Sequence, residues 1–154
     1  MQKEIRVAVA GNPNSGKTTV FNNLTGSHQH VGNWPGVTVE KKEGMFKYNG
    51  CRVKVVDLPG TYSLSAYSID ERIARSFLLE EKPDAVVTVI DASNLERNLY
   101  LVIQLLELGA NVVLDLNMMD IVEKRGLKID KENISRILGA PVVDTIAFRG
   151  KGID

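Results

Sequence analysis

A short strand-like run, Ile5–Ala10, leads without a linker into Gly11-Asn12-Pro13-Asn14-Ser15-Gly16-Lys17-Thr18, and Thr18–Leu24 then places Val20, Phe21 and Leu24 at helical spacing. Few folds accommodate that order. Its glycines let the backbone curl so that several N–H groups converge on one phosphate. The helix that follows adds the positive end of its dipole. In such a loop Lys17 reaches the outer phosphates and Thr18 offers its hydroxyl to Mg²⁺. The residue pattern alone arises by chance, and the strand before it and the helix after it supply the required context. Residues 11–18, with Thr19 in the same turn, are therefore expected to bind a nucleoside triphosphate and Mg²⁺.

The rest of the chain alternates strands with helices. Gly26–Gly36 is mostly polar, contains Gly32, Asn33 and Pro35, and reads as a loop. Thr38–Phe46 and Arg52–Val56 flank Tyr48-Asn49-Gly50, and Asn-Gly between two strand-like runs signals a hairpin. Leu58–Ser68 is irregular. Ile69–Leu79 is expected to be a helix stopped by Pro83, Ala85–Ile90 a buried strand, and Leu95–Leu108 an amphipathic helix closed by Gly109. Asn111–Leu116 and Pro141–Thr145 read as further strands, Ile121–Arg125 as a short helical piece and Lys131–Leu138 as a helix ending at Gly139. The alternation predicts an α/β fold with a mostly parallel sheet of six strands, one antiparallel edge strand from the hairpin, and helices on both faces. The chain, 154 residues with 44% hydrophobic residues, is long enough for one such domain, 1–154. The final Gly150–Asp154 stands where another helix would begin, so the sequence reads as cut from something longer.

Three further segments carry chemistry-bearing residues, two after strands and one at the start of a strand. Val55-Val56-Asp57-Leu58-Pro59-Gly60 ends a strand with a carboxylate, at the edge where open α/β sheets bind ligands. Asp57 is expected to hold Mg²⁺ through water and the Gly60 N–H to feel the terminal phosphate. Taken alone, Asp-x-Pro-Gly is also a common turn. Asn117-Met118-Met119-Asp120 again follows a strand. A carboxylate there can accept from both the ring N–H and the exocyclic amine of guanine, a donor pair that adenine lacks, although the same residues also suit a helix cap. Thr38, in Gly36-Val37-Thr38, is placed to join the Mg²⁺ shell when a terminal phosphate is present, so loop order would report the nucleotide state.

In this order and spacing the motifs resemble the small GTPase fold of the translation-factor-related class, a P-loop, Ras-like fold. Val31–Gly44 (VGNWPGVTVEKKEG), Asp57–Leu64 (DLPGTYSL) and Asp91–Leu101 (DASNLERNLYL) are similar to the FeoB family, the ferrous iron transport proteins of bacteria and archaea. The resemblance covers essentially the whole chain. It implies an N-terminal G domain on the cytoplasmic side of the cell membrane, followed in the full-length protein by a helical domain and a membrane region that moves Fe²⁺, with small Feo proteins as partners. It implies slow GTP hydrolysis to GDP and phosphate, stimulated by K⁺. Asn14, with carbonyls of the Gly32–Pro35 loop, among them Gly32 and Trp34, would coordinate that cation where an arginine finger would otherwise act. Lys17, Asn14, Thr38 and Gly60 would be the catalytic set. Residues 11–19, Gly36, Val37, Thr38, Asp57, Leu58, Pro59, Gly60, Asn117, Met118, Asp120, Ile146, Ala147 and Phe148 would contact the nucleotide or its Mg²⁺, which Thr18, Thr38 and Asp57 organise.

The chain departs from GTPase patterns at three places. Thr61 stands where many relatives of that fold have a glutamine that orients the attacking water. Met118 and Met119 stand where a lysine is usual between the asparagine and aspartate. Ile146-Ala147-Phe148 replaces a Ser-Ala-Lys-like string, leaving the Ala147 N–H to reach the guanine oxygen.

Other readings have less support. Lys+Arg and Asp+Glu both count 19, and this balance argues against a domain devoted to nucleic-acid backbones, and so against an RNA-binding ribosome-assembly GTPase. A nucleotide switch without relevant turnover stays open because of Thr61, and ATP use because of Met119 and Ile146. Cys51, the single cysteine, forms no internal disulfide and has no histidine near it in sequence. His28 and His30 read as exposed loop residues rather than as iron ligands, and Trp34 as a residue that packs its loop. The apolar runs are far shorter than the roughly 20 residues that span a bilayer, and no secretory signal opens the chain, so a soluble, intracellular chain is expected.

Overall fold

The computed structural model describes residues 3–153. One sheet runs through the molecule, with strands β1 (Glu4–Gly11), β2 (Gln29–Asn33), β3 (Glu40–Tyr48), β4 (Cys51–Asp57), β5 (Ala85–Asp91), β6 (Val112–Asn117) and β7 (Val142–Asp144). Helices α1 (Lys17–Thr25), α2 (Ile69–Glu81), α3 (Leu95–Glu107), α4 (Met119–Lys124) and α5 (Lys131–Leu138) connect them. The strand order is β2-β3-β4-β1-β5-β6-β7. β1 pairs in parallel with both β4 and β5, and β5, β6 and β7 continue the parallel run.

The period-two alternation of β1 explains the two-sided core. Ala8 and Ala10 face a cluster with α2 and α3 that includes Leu78, Leu101 and Leu105. Val9, between them, faces a second cluster in which α1 contributes Val20 and the fully buried Phe21. Covering both faces is what the near-continuous apolar strands of a parallel sheet require. Burial of Phe21 alone contributes about 2 kcal/mol.

The sheet has seven strands rather than the expected six. The added strand is β2, inside the stretch expected to be a loop. It is an edge strand, exposed along nearly its whole length, so it carries no apolar alternation for sequence to reveal. It is held by main-chain pairing to β3, from Gln29 against Gly44 to Asn33 against Glu40. The one strand running against the others is β3, as the hairpin requires, but it lies one place in from the edge. The hairpin turn is Asn49-Gly50, both residues with positive φ, 47° and 76°. The strand expected to start at Thr38 starts at Glu40. Among the described residues no helix is long and apolar enough to cross a membrane.

Candidate functional site

The loops after β1, β4, β6 and β7 meet at the carboxyl end of the sheet. The first is shaped by glycine where nothing else fits. A Cβ at Gly11 would lie 2.6 Å from the Val89 carbonyl oxygen. Gly16 has φ of 91°, and a Cβ there would overlap the Asn117 amide. Asn14 takes φ of 65°, a conformation asparagine tolerates better than most residues. Gly16 is the N-cap of α1, and no side chain hydrogen-bonds that helix start. The loop is also rich in unmet polar capacity. Both amide atoms of Asn12 and the Ser15 hydroxyl are buried without a hydrogen-bond partner among the described residues. A helix start beside orphaned buried polar atoms suits a phosphate.

Beneath the loop, Lys17 Nζ lies 2.5 Å from Asp57 Oδ1, and Thr18 Oγ1 donates to Asp57 Oδ2 at 3.4 Å. The ion pair is buried on both sides. The three expected phosphate and Mg²⁺ residues are thus brought together by the start of α1 and the end of β4. The following turn is fastened to the phosphate loop, with Leu58 N–H donating to the Val9 carbonyl at 3.0 Å and Thr61 N–H to the Gly11 carbonyl at 3.1 Å. Gly60 lies against Pro13, where a Cβ would come within 3.3 Å of the ring backbone. Thr61 is buried.

Asn117 connects the rest of the site. Its Nδ2 donates to the Ser15 carbonyl at 3.0 Å, and its Oδ1 accepts from the Ala147 N–H at 2.9 Å. One side chain therefore ties the phosphate loop to the loop after β7. Met118 follows in the left-handed region, φ 63°, and its carbonyl accepts from Ile121 N–H at 3.0 Å to start α4. Asp120 is half-buried, and its Oδ1 has no partner among the described residues. Ile146 is half-buried, Ala147 is buried and Phe148 is exposed. The Ala147 N–H, expected to face a ligand, is instead committed to Asn117.

Thr38 is not brought to this cluster. It is exposed, in the connection between β2 and β3, as is Gly36, while Val37 is half-buried. That connection is closed by Trp34 N–H donating to the Val39 carbonyl at 2.9 Å and Val37 N–H to the Trp34 carbonyl at 3.3 Å. The Trp34 ring is buried, edge-on to Phe77 of α2 at 5.7 Å, with the Lys41 ammonium 4.7 Å from its centre. Trp34 therefore packs its loop, as expected. Gly32 is paired with Lys41 in the sheet edge. Asn14 instead lines a small polar cavity with Asp91, Asn94, Arg97 and Tyr62. His28 and His30 are exposed, the first just before β2 and the second within it, across from Glu43. Among the described residues no cluster of three or more His, Cys, Asp or Glu side chains could hold a metal ion.

Two residues behind the site escaped the sequence reading. Thr145 Oγ1 lies 2.7 Å from Asp115 Oδ1 and 3.2 Å from Asn117 Oδ1. The available signal was period two: in β6 only Asp115 and Asn117 are polar, and they alternate onto one face. Burial pushes the Asp115 carboxyl up to about 6; the nearby Asp144 charge adds to this and the Thr145 hydrogen bond opposes it.

Residues 5–154 match the family model described as ferrous iron transport protein B. The Fe(2+) transporter FeoB of Escherichia coli K12 is 53% identical over 156 residues, covering 99% of this chain and 20% of that protein. The FeoB G-domain from Methanococcus jannaschii superposes with a TM-score of 0.88 at 52% identity, covering 99% of this chain and 92% of that one. The cytosolic domain of the T. maritima FeoB iron transporter in GDP form II gives a TM-score of 0.94 at 50% identity, covering 97% of this chain and 60% of that one.

Proposed function

The chain belongs to the ferrous iron transport protein B family, and from that premise we propose that it is a guanine-nucleotide-binding, GTP-hydrolysing unit that regulates ferrous iron movement. It spans 20% of the length of the curated relatives it matches, so Fe²⁺ is the substrate of a larger protein. The helical and membrane regions of that protein, and small Feo proteins, are the partners proposed here. The unit would lie on the cytoplasmic side of the membrane.

The observation that carries this reading is Asn117. Its amide links Ser15 in the phosphate loop to Ala147 in the base loop. Beside it, Asp120 keeps a buried carboxylate oxygen with no protein donor among the described residues. A guanine base, with two adjacent donors, answers that orphan, and adenine does not. Lys17 and the loop N–H groups then stabilise charge on the phosphates. Asp57 and the Thr18 hydroxyl are hard oxygen donors, the kind Mg²⁺ takes alongside phosphate and water. Mg²⁺ bound there would neutralise charge developing between the outer phosphates. Thr38 joins that set once its loop closes over the site, and Gly60 contributes its N–H.

The Thr61 side chain replaces a water-orienting glutamine, and its N–H is held by the Gly11 carbonyl. Intrinsic turnover is therefore slow, and Asn14 with the carbonyls of Gly32 and Trp34 would hold a K⁺ that would supply the missing positive charge. That requires the 32–35 segment to leave its place at the sheet edge. The test is phosphate release from GTP in K⁺ and in Na⁺, with Asn14→Ala alongside. K⁺ should accelerate release and Asn14→Ala should remove the advantage. Equal rates in the two salts would eliminate the K⁺ mechanism and favour a switch whose turnover is incidental, a reading that Thr61 also supports.

A further inference from the structure

Asp115, Thr145 and Asn117 form a buried chain of polar side chains, 2%, 4% and 3% exposed. A threonine hydroxyl has one proton, so Thr145 cannot donate to Asp115 and Asn117 at once. An ionised Asp115 only accepts, and it takes that proton through the shorter, charge-assisted contact of 2.7 Å. Asn117 Oδ1 is then left with the Ala147 N–H alone, since the 3.2 Å approach of Thr145 brings only lone pairs. A protonated Asp115 donates to Thr145 instead, and the Thr145 proton turns to Asn117. The chain reverses direction, no proton is lost from the pair of contacts, and Asn117 gains a second donor.

We propose that Asp115 and Thr145 are positioning residues that tighten Asn117 when Asp115 carries a proton and relax it when Asp115 is ionised, thereby setting how fast a guanine nucleotide leaves. The proposal rests on the guanine-site reading above. Asn117 is the point of action because it holds both the Ser15 carbonyl and the Ala147 N–H.

Among the described residues the carboxyl has no cationic partner. Its neighbours in register, Val89 of β5 and Val143 of β7, are apolar. Asp144 of β7 is paired with Lys131 of α5 at 3.0 Å. Asp91 of β5 is engaged by the Ser93 N–H at 2.9 Å. The one charged residue of α1, Lys17, is engaged with Asp57. Beyond β7, Arg149 lies over the exposed Phe148 ring and Lys151 is exposed. Burial without a counter-ion is what raises this carboxyl to about 6, so the chain changes state close to neutral pH.

The experiment is stopped-flow release of fluorescent mant-GDP from this chain between pH 5 and pH 8. Release should accelerate about fivefold as the pH passes about 6, the effect of one hydrogen bond's net worth. Asp115→Asn, whose amide can donate to Thr145 at every pH, should release slowly throughout and lose the step. Thr145→Val should release fast throughout, and Thr145→Ser should restore the step. The terminal phosphate of GDP titrates nearby, so only the part of the profile that Asp115→Asn abolishes counts. A flat wild-type profile, or a step that survives Asp115→Asn, overturns the relay while leaving the guanine site standing. Failure to bind mant-GDP at any pH overturns both.

Discussion

At Asp115 the fold holds a proton that the unfolded chain releases near the ordinary value of 3.8. Between that value and about 6 the native state therefore binds more protons than the unfolded state, and stability falls as pH rises. Above about 6 the loss is complete and amounts to roughly 3 kcal/mol. Asp115→Asn should be more stable than the parent by up to that amount at pH 7.5 and about equal to it at pH 4, as urea denaturation at the two pH values will measure. A second residue-scale expectation concerns Asp120. Asparagine in its place offers one acceptor and one donor, which fits the ring N–H and neighbouring carbonyl of xanthine rather than the two donors of guanine. Asp120→Asn should lose about 2 kcal/mol of guanine-nucleotide affinity and gain xanthine-nucleotide affinity, read by competition against a fluorescent nucleotide. Gly11, Gly16, Lys17, Thr18, Asp57, Asn117 and Asp120 were legible because each backbone or chemical demand is met by few residue types. Thr145 and the commitment of the Ala147 N–H were not, because a hydroxyl after a strand and a main-chain donor look alike wherever they point.

Among the elements, β2 is the one at the sheet's exposed edge, and its connection to β3 (itself paired along β4) rests on a single aromatic anchor. Among the described residues β2 pairs with β3 alone, and the connection between them is secured on α2 by the Trp34–Phe77 contact. Trp34→Ala should leave the centre of the sheet intact while weakening this unit by about 3 kcal/mol, the lower range for a buried aromatic. Hydrogen exchange should then be about 100-fold faster at the β2 amides, with β5 amides unchanged. Elements with apolar periodicity were legible to within a residue or two, among them α2, α3 and α5 with its Gly139 cap. The Asn49-Gly50 turn was legible from its chemistry. β2 was not, because its cohesion is main-chain pairing at an exposed edge, and that leaves no mark on side-chain polarity. The same reason moved the start of β3 from Thr38 to Glu40.

For the whole molecule, the topology follows from the order of elements: parallel crossovers place β1 at the middle of the sheet, and every loop that carries chemistry emerges at one end. A ligand that binds there links loops from four strands and should stabilise the domain as a unit. GDP at a hundredfold excess over its dissociation constant should add about 2.7 kcal/mol and raise the melting temperature by about 5–10 °C, with ADP producing little change in the same calorimetric scan. The Lys17–Asp57 contact gives that binding an ionic character. Without ligand the two charges cancel each other inside the protein. Admitting a nucleotide and a divalent cation is thus an exchange of partners: lysine passes from carboxylate to phosphate, and carboxylate passes from ammonium to metal. Neither half is favourable alone, because each would strand a buried charge. The two ligands are therefore reciprocal effectors, each raising the other's affinity by the same factor, and the domain registers them as one composite signal.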